Sequence, residues 1–255
     1  MKLLTALGSS VLATAFVVSA QGPGITIVQQ ETRDGKTTTT QMQMDKMHMR
    51  AESGGTTVMV FDGEAQVMRV IQMDRKTYTE MSKAQMEEMS QKMAQAMEQL
   101  KNLPPEQRAM MEKMMARGGR GMPGMATPAP ISYRASGSDT VGKWSCTKYV
   151  GMRGQEKVAE LCTVDPTALG LAVSDFDVMK HFAEFMKSLV PQMAEQITVI
   201  GSEADQGYSG FPVRRTTFAN GQTQSVSELK EIARGAIPAT AWQAPAGFKR
   251  EGPPR

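Results

Sequence analysis

Residues 81–115 read MSKAQMEEMSQKMAQAMEQLKNLPPEQRAMMEKMM. Met86, Met89, Met93, Met97 and Leu100 recur at steps of three or four, which gathers them on one stripe of a helix. Glu87, Glu88, Lys92, Gln95 and Glu98 face away from it. Pro104 and Pro105 end this helix, because proline cannot continue a helix interior, and they open a second one. Met110, Met111, Met114 and Met115 repeat the pattern there. Gly118, Gly119, Gly121, Pro123 and Gly124 then predict a flexible Gly/Pro/Met loop over 118–130. The stretch 81–117 thus reads as a helical arm with an apolar face made almost wholly of methionine. One reading is an ordinary helical hairpin packed on a sheet. The other is an adaptable lid, since methionine is unbranched, polarizable and favoured where a surface must accept varied shapes.

On either side of the arm the period changes from helical to alternating. Residues 25–32 and 37–44 flank Asp34-Gly35, a pair that tolerates the positive φ of a tight hairpin turn. Runs at 47–53, 56–61, 65–73 and 76–80 follow, parted by Gly54-Gly55, Asp62-Gly63 and Asp74-Arg75. Six short strands in meander order predict an antiparallel sheet. Beyond the arm come 131–135, 143–150 and 157–163. Ser174 reads as the N-cap of a helix carrying Phe176, Met179, Phe182, Ala183, Met186 and Leu189 on one side. Strands at 207–219 and 222–232 are joined by Asn220-Gly221. An irregular tail follows, in which Trp242 and Phe248 tuck against the sheet. The fold class is α+β, in one domain over 21–255.

The first twenty residues have the form of a secretory signal. Lys2 precedes an apolar or small-residue run that ends in Val18-Ser19-Ala20. This predicts a mature chain from Gln21, periplasmic or secreted. No other run approaches the roughly 20 apolar residues of a membrane span, so no transmembrane anchor is expected. The formal net charge is only +3, with acids and bases interspersed. That argues against a nucleic-acid partner, which would call for a concentrated basic face. The two cysteines, Cys146 and Cys162, lie on strand-like runs flanking Gly151 to Gly154. In an exported chain they read most simply as a disulfide.

Catalytic material is sparse. The two histidines, His48 and His181, are the candidate bases for a serine or cysteine nucleophile, and no nucleophile elbow, phosphate loop or dinucleotide fingerprint accompanies them. Neither an enzyme nor a cofactor is expected. With a turn at Asp45-Lys46, alternation places Met42, Met44, Met47 and Met49 on one face and His48 on the other. Four thioethers could hold Cu(I), a soft ion, but such side chains more often fill a core. Met122 and Met125 could act as oxidant traps. His181, between Asp177 and Glu184, has only half of a metal site around it and reads as solvated or helix-paired.

The runs GSDTVGKWSCTKY, GFPVRRTTFANG and AIPATAWQAPAGFKR, together with MQMDKMHMR and VFDGEAQVMRVIQMDRKTYTEM, resemble an uncharacterised exported bacterial family, domain of unknown function 4412. Such proteins are similar in architecture to the lipoprotein carriers (LolA/LolB-like) of the periplasm. The resemblance implies a half-barrel, a curved antiparallel sheet around an apolar cavity closed by helices. By analogy it implies a lipid-like ligand. On that reading Met42, Met44, Met49, Met59 and Phe61 line the groove, and Met86, Met89, Met93 and Met97 close over it. The alternatives are a Cu(I)-binding or oxidant-scavenging protein, or an interaction protein that docks an unknown partner through its arm.

Overall fold

The computed structural model describes residues 22–101, 130–189 and 207–252. The signal-like residues, the second segment of the arm, the loop at 118–129, Pro191 and the oxidant-trap methionines lie outside them. Among the described residues, twelve strands form one open, curved sheet. In chain order they are β1 (Gly22–Arg33), β2 (Lys36–Met44), β3 (His48–Ser53), β4 (Thr57–Asp62), β5 (Val67–Gln72), β6 (Thr77–Ser82), β7 (Ser132–Val141), β8 (Trp144–Arg153), β9 (Glu156–Val164), β10 (Phe211–Ala219), β11 (Gln222–Ile237) and β12 (Lys249–Glu251). Their spatial order is β12-β6-β5-β4-β3-β2-β1-β11-β10-β9-β8-β7. Two antiparallel meanders therefore meet at one seam, where β1 pairs with β11.

The turns follow from their residues. Asp34 and Gly35 have φ of 51° and 72°, and Asn220 and Gly221 have 52° and 74°. Paired positive φ values of this kind match the twist of the flanking strands. The β2–β3 connection differs from the expected Asp45-Lys46 turn. It spans Asp45 to Met47, with the Asp45 carboxylate accepting from the backbone N–H groups of Met47 and His48 at 2.8 and 2.7 Å. Met44 and Met49 therefore pair directly, and Met47 sits in the turn.

Helix α1 (Lys83–Lys101) corresponds to the first segment of the expected arm. Met81 precedes it, in β6. Its start is set by Ser82, whose Oγ accepts from the Gln85 N–H at 3.3 Å. The Gln85 side chain accepts from the Ser82 N–H at 2.9 Å, completing a reciprocal cap. Helix α2 spans Asp177–Leu189. Ser174 is not its cap, because a 3-10 turn over Val173–Phe176 comes first. Asp175 there accepts from the Ala172 N–H at 2.7 Å. Arg234 of β11 pairs with Asp175 and donates to the Gly170 carbonyl at 2.8 Å, which ties the entry of α2 to the sheet.

Both helices serve the concave face. Phe176, Val178 and Phe185 enter one core with Ile25, Met44, Met49, Phe61 and Met86. The convex face has a separate core of Val58, Val60, Ile71, Ile237 and Trp242, packed with Phe248. Trp242 and Phe248 of the tail thus pack against the sheet as expected, on its convex face, but the tail is not wholly irregular. Its last strand, β12, adds to β6 in parallel.

Candidate functional site

The concave face is graded in three rows that run across the strands. The deepest is Ile25–Met44–Met49–Phe61–Met68–Met81, each residue paired with the next on the neighbouring strand. Met44, Met49 and Phe61 are 1%, 2% and 0% exposed. Phe61 meets Phe182 and Phe185 of α2, each at 5.3 Å between ring centres. Met86 of α1 is also fully enclosed in this core. Such interiors are close-packed, so these side chains support the site from beneath.

The second row is Ile232–Ile27–Met42–Ala51–Met59–Val70–Thr79. Ile27 is buried, and the others are half-buried. From above, Phe182 and Met186 of α2 are likewise half-buried against the same core. The third row, Gln29–Thr40–Ser53–Thr57–Gln72–Thr77, is polar. Within it Thr40 bonds Ser53 at 3.2 Å and Thr57 bonds Gln72 at 3.3 Å. An apolar strip, from Ile232 to Val70, therefore lies between a packed core and a polar rim. Of the residues expected in the groove, Met42 and Met59 stand on this strip. Met44, Met49, Phe61 and Met86 stand in the core below it. Met89 is half-buried on α1, and the side chains of Met93 and Met97 lie outside the described residues.

The four thioethers considered for Cu(I) are thereby separated in role. Met44 and Met49 are core, Met42 is on the strip, and Met47 is in the turn with its Cε near Gly63. His48 does face the other side, where Asp45 lies 3.0 Å from its Nδ1 and Trp242 stacks on its ring at 5.2 Å. Asp177 bonds Lys180 at 2.9 Å.

The other half of the concave face is built differently. Cys146 and Cys162 form the expected disulfide, with Cα atoms 5.4 Å apart. Cys162 pairs with Lys148, so the two cysteines are diagonal neighbours across β8 and β9. Beside them Arg214 of β10 pairs with Asp139 of β7 and lies 4.0 Å from Glu228 of β11. The Thr140 N–H, followed by the Arg214 guanidinium, holds the Asp139 carboxyl below the usual carboxylate range. Here the sheet curls enough for the β7–β8 turn to reach β11. The two enclose a cleft of about 290 Å³ lined by Val141, Gly142, Lys143, Trp144, Glu228, Leu229 and Lys230. Sequence reading missed this cleft, because its walls are separated in the chain and meet only through curvature.

No helix among the described residues is long and apolar enough to cross a membrane. Three solved structures are similar at low identity. An uncharacterized conserved protein from Thermus thermophilus is 9% identical with a TM-score of 0.46, covering 91% of each chain. PNGF-II is 8% identical with a TM-score of 0.36, covering 91% of this chain and 31% of that one. MucB, in its complex with MucA(peri), is 13% identical with a TM-score of 0.37, covering 88% of this chain and 55% of that one. No curated protein matches in sequence. The model of the family described as "Domain of unknown function (DUF4412)" matches residues 90–248, from within α1 through β11 and into the tail, and the chain belongs to that family.

Proposed function

We propose that this chain is an exported, non-catalytic binding protein that holds an apolar ligand, such as a lipid chain, against its concave face. The observation that supports this reading is the half-buried strip of Ile232, Met42, Ala51, Met59 and Val70, set between the helix-covered core and a polar rim. Single exposed apolar residues are normal, whereas a contiguous row with polar borders is how a surface that meets an apolar partner is built. Each methylene buried there contributes about 0.8 kcal/mol, so a short stretch of hydrocarbon gives useful affinity. Methionines at two of the positions let the strip adjust to chains of different shape. Phe182 and Met186 form its upper border, and α1 flanks α2 as a lid.

Native mass spectrometry of the mature protein tests this reading. The expected spectrum shows adducts of lipid mass that disappear in a Met42→Gln/Met59→Gln variant. A bare polypeptide mass before and after incubation with lipid extract would remove the basis of the reading.

A further inference from the structure

The cleft between the β7–β8 turn and β11 has a composition unlike that of the strip. Its floor is Val141, Trp144 and Leu229, and its mouth carries Lys143 and Lys230. The Lys143 ammonium lies over the Trp144 ring, 5.2 Å from its centre. Glu228 is the acidic group of the lining, and it already has Lys230 at 2.7 Å and Arg214 at 4.0 Å. Two lysines against the single Glu228 leave the lining one net positive charge above an apolar, aromatic floor, a combination suited to an anionic head on a hydrocarbon body.

A backbone irregularity connects this cleft to the strip. Val28 pairs with Glu231 and Gln29 with Leu229, which leaves Lys230 as the extra residue of a β-bulge. In a regular strand residues 229 and 232 would point to opposite faces. The bulge brings both Leu229 and Ile232 to the concave core and re-aims Lys230. Leu229 lines the cleft and Ile232 begins the strip, so the two sites adjoin along β11.

The geometry points to Lys143, Lys230 and Trp144 as the head-group site for a single-chain anionic amphiphile whose tail runs from Leu229 onto the strip at Ile232. This rests on the strip reading above and specifies the ligand class for it. Carboxylate and phosphate heads share the required chemistry, and both belong in the test.

The mature full-length chain is titrated by calorimetry with dodecanoate, dodecyl phosphate and dodecyl maltoside, each below its micelle-forming concentration. Binding of the anionic amphiphiles should be at least about tenfold tighter than that of the maltoside, as expected for a charge-assisted contact. The tighter of the two anions identifies the head. Lys143→Gln together with Lys230→Gln, both exposed positions, should erase that preference while maltoside binding persists. Trp144 emission in a Trp242→Phe background should shift on addition of dodecanoate. If that variant is poorly folded, acrylamide quenching of the unaltered protein with and without dodecanoate gives the same readout, because Trp242 lies buried on the opposite face. Equal affinity for all three amphiphiles, or a preference that survives the double substitution, overturns the head-group site but leaves the strip. Absence of binding by all three overturns both.

Discussion

The two meanders of this sheet solve the same problem by different means. From β1 to β6 the concave face is held by rows of apolar side chains under α2, with methionine at Met42, Met44, Met49, Met59, Met68 and Met81. From β7 to β11 the same apolar core continues through Val141, Val164, Phe211 and Val213, and a disulfide and the Asp139–Arg214–Glu228 ion pairs are added to it. The first half depends on packing, which is non-directional and tolerant of reshaping. The second adds to its packing a covalent link and a set of partly exposed charged pairs. Packing contacts tolerate reshaping, whereas a cross-link fixes the register of the strands it joins.

The comparison is tested most severely at Phe61, which is fully buried and touches two rings of α2. Phe61→Ala should cost about 3–5 kcal/mol in urea unfolding, through lost transfer energy and the cavity left behind. A cost below about 1 kcal/mol, far under that range, would show that α2 does not pack on the row as described. Next is the disulfide, which joins residues 16 apart. Replacing both cysteines by alanine should cost about 3 kcal/mol in the loop-entropy model. Hydrogen exchange should rise in β8 and β9 and stay unchanged in β3 to β5. Protection lost evenly over both halves would erase the distinction between them.

A smaller effect is expected from Met44→Leu, a substitution that nearly conserves volume in a buried position. It should cost less than about 1.5 kcal/mol by the same unfolding measurement. A larger loss would mean that the row demands a particular side-chain shape. The smallest effect concerns acid. Burial works against ionisation of Asp175, but the Arg234 pair and the Ala172 N–H overcome it and hold its pKa down. A carboxyl lowered in the folded state stabilises fully above its unfolded value, and that contribution is lost as pH falls through the folded one. Melting temperature should therefore fall more between about pH 5 and pH 2 for the native chain than for Arg234→Gln, by roughly a degree. Equal slopes would exclude the pair from the stability of the α2 entry.

Alternation and turn residues made most of the sheet legible. Asp34-Gly35 and Asn220-Gly221 marked their hairpins because few other pairs accept that backbone. The stripe Met86–Met89 marked α1, although its start was obscured because the methionine-rich run already begins at Met81, which lies in a strand. Ser174 misled, since a serine before a helical pattern resembles a cap, whereas Asp175 makes the local bond. Methionine identity pointed to an apolar surface but could not separate Met42 from Met44. They alternate to the same side, and only the position of α2 along the strands decides which is covered. The bulge at Lys230 was hidden because nothing in that residue announces an unpaired position. The pairing of Asp139 with Arg214 was hidden because it spans neighbours that only a curled sheet brings together.

The seam between β1 and β11 has a kinetic consequence. Each meander can assemble from neighbours in the chain, but Ile27 meets Ile232 only when the last long strand has been made. Joining distant segments requires a large loop to close before any contact rewards it, which slows such steps. Refolding should therefore show amides of β3 to β5 shielded from pulse-labelling earlier than those of β1. Until the seam closes, two unsatisfied strand edges face solvent, and a chain held in that state is open to pairing with another copy of itself.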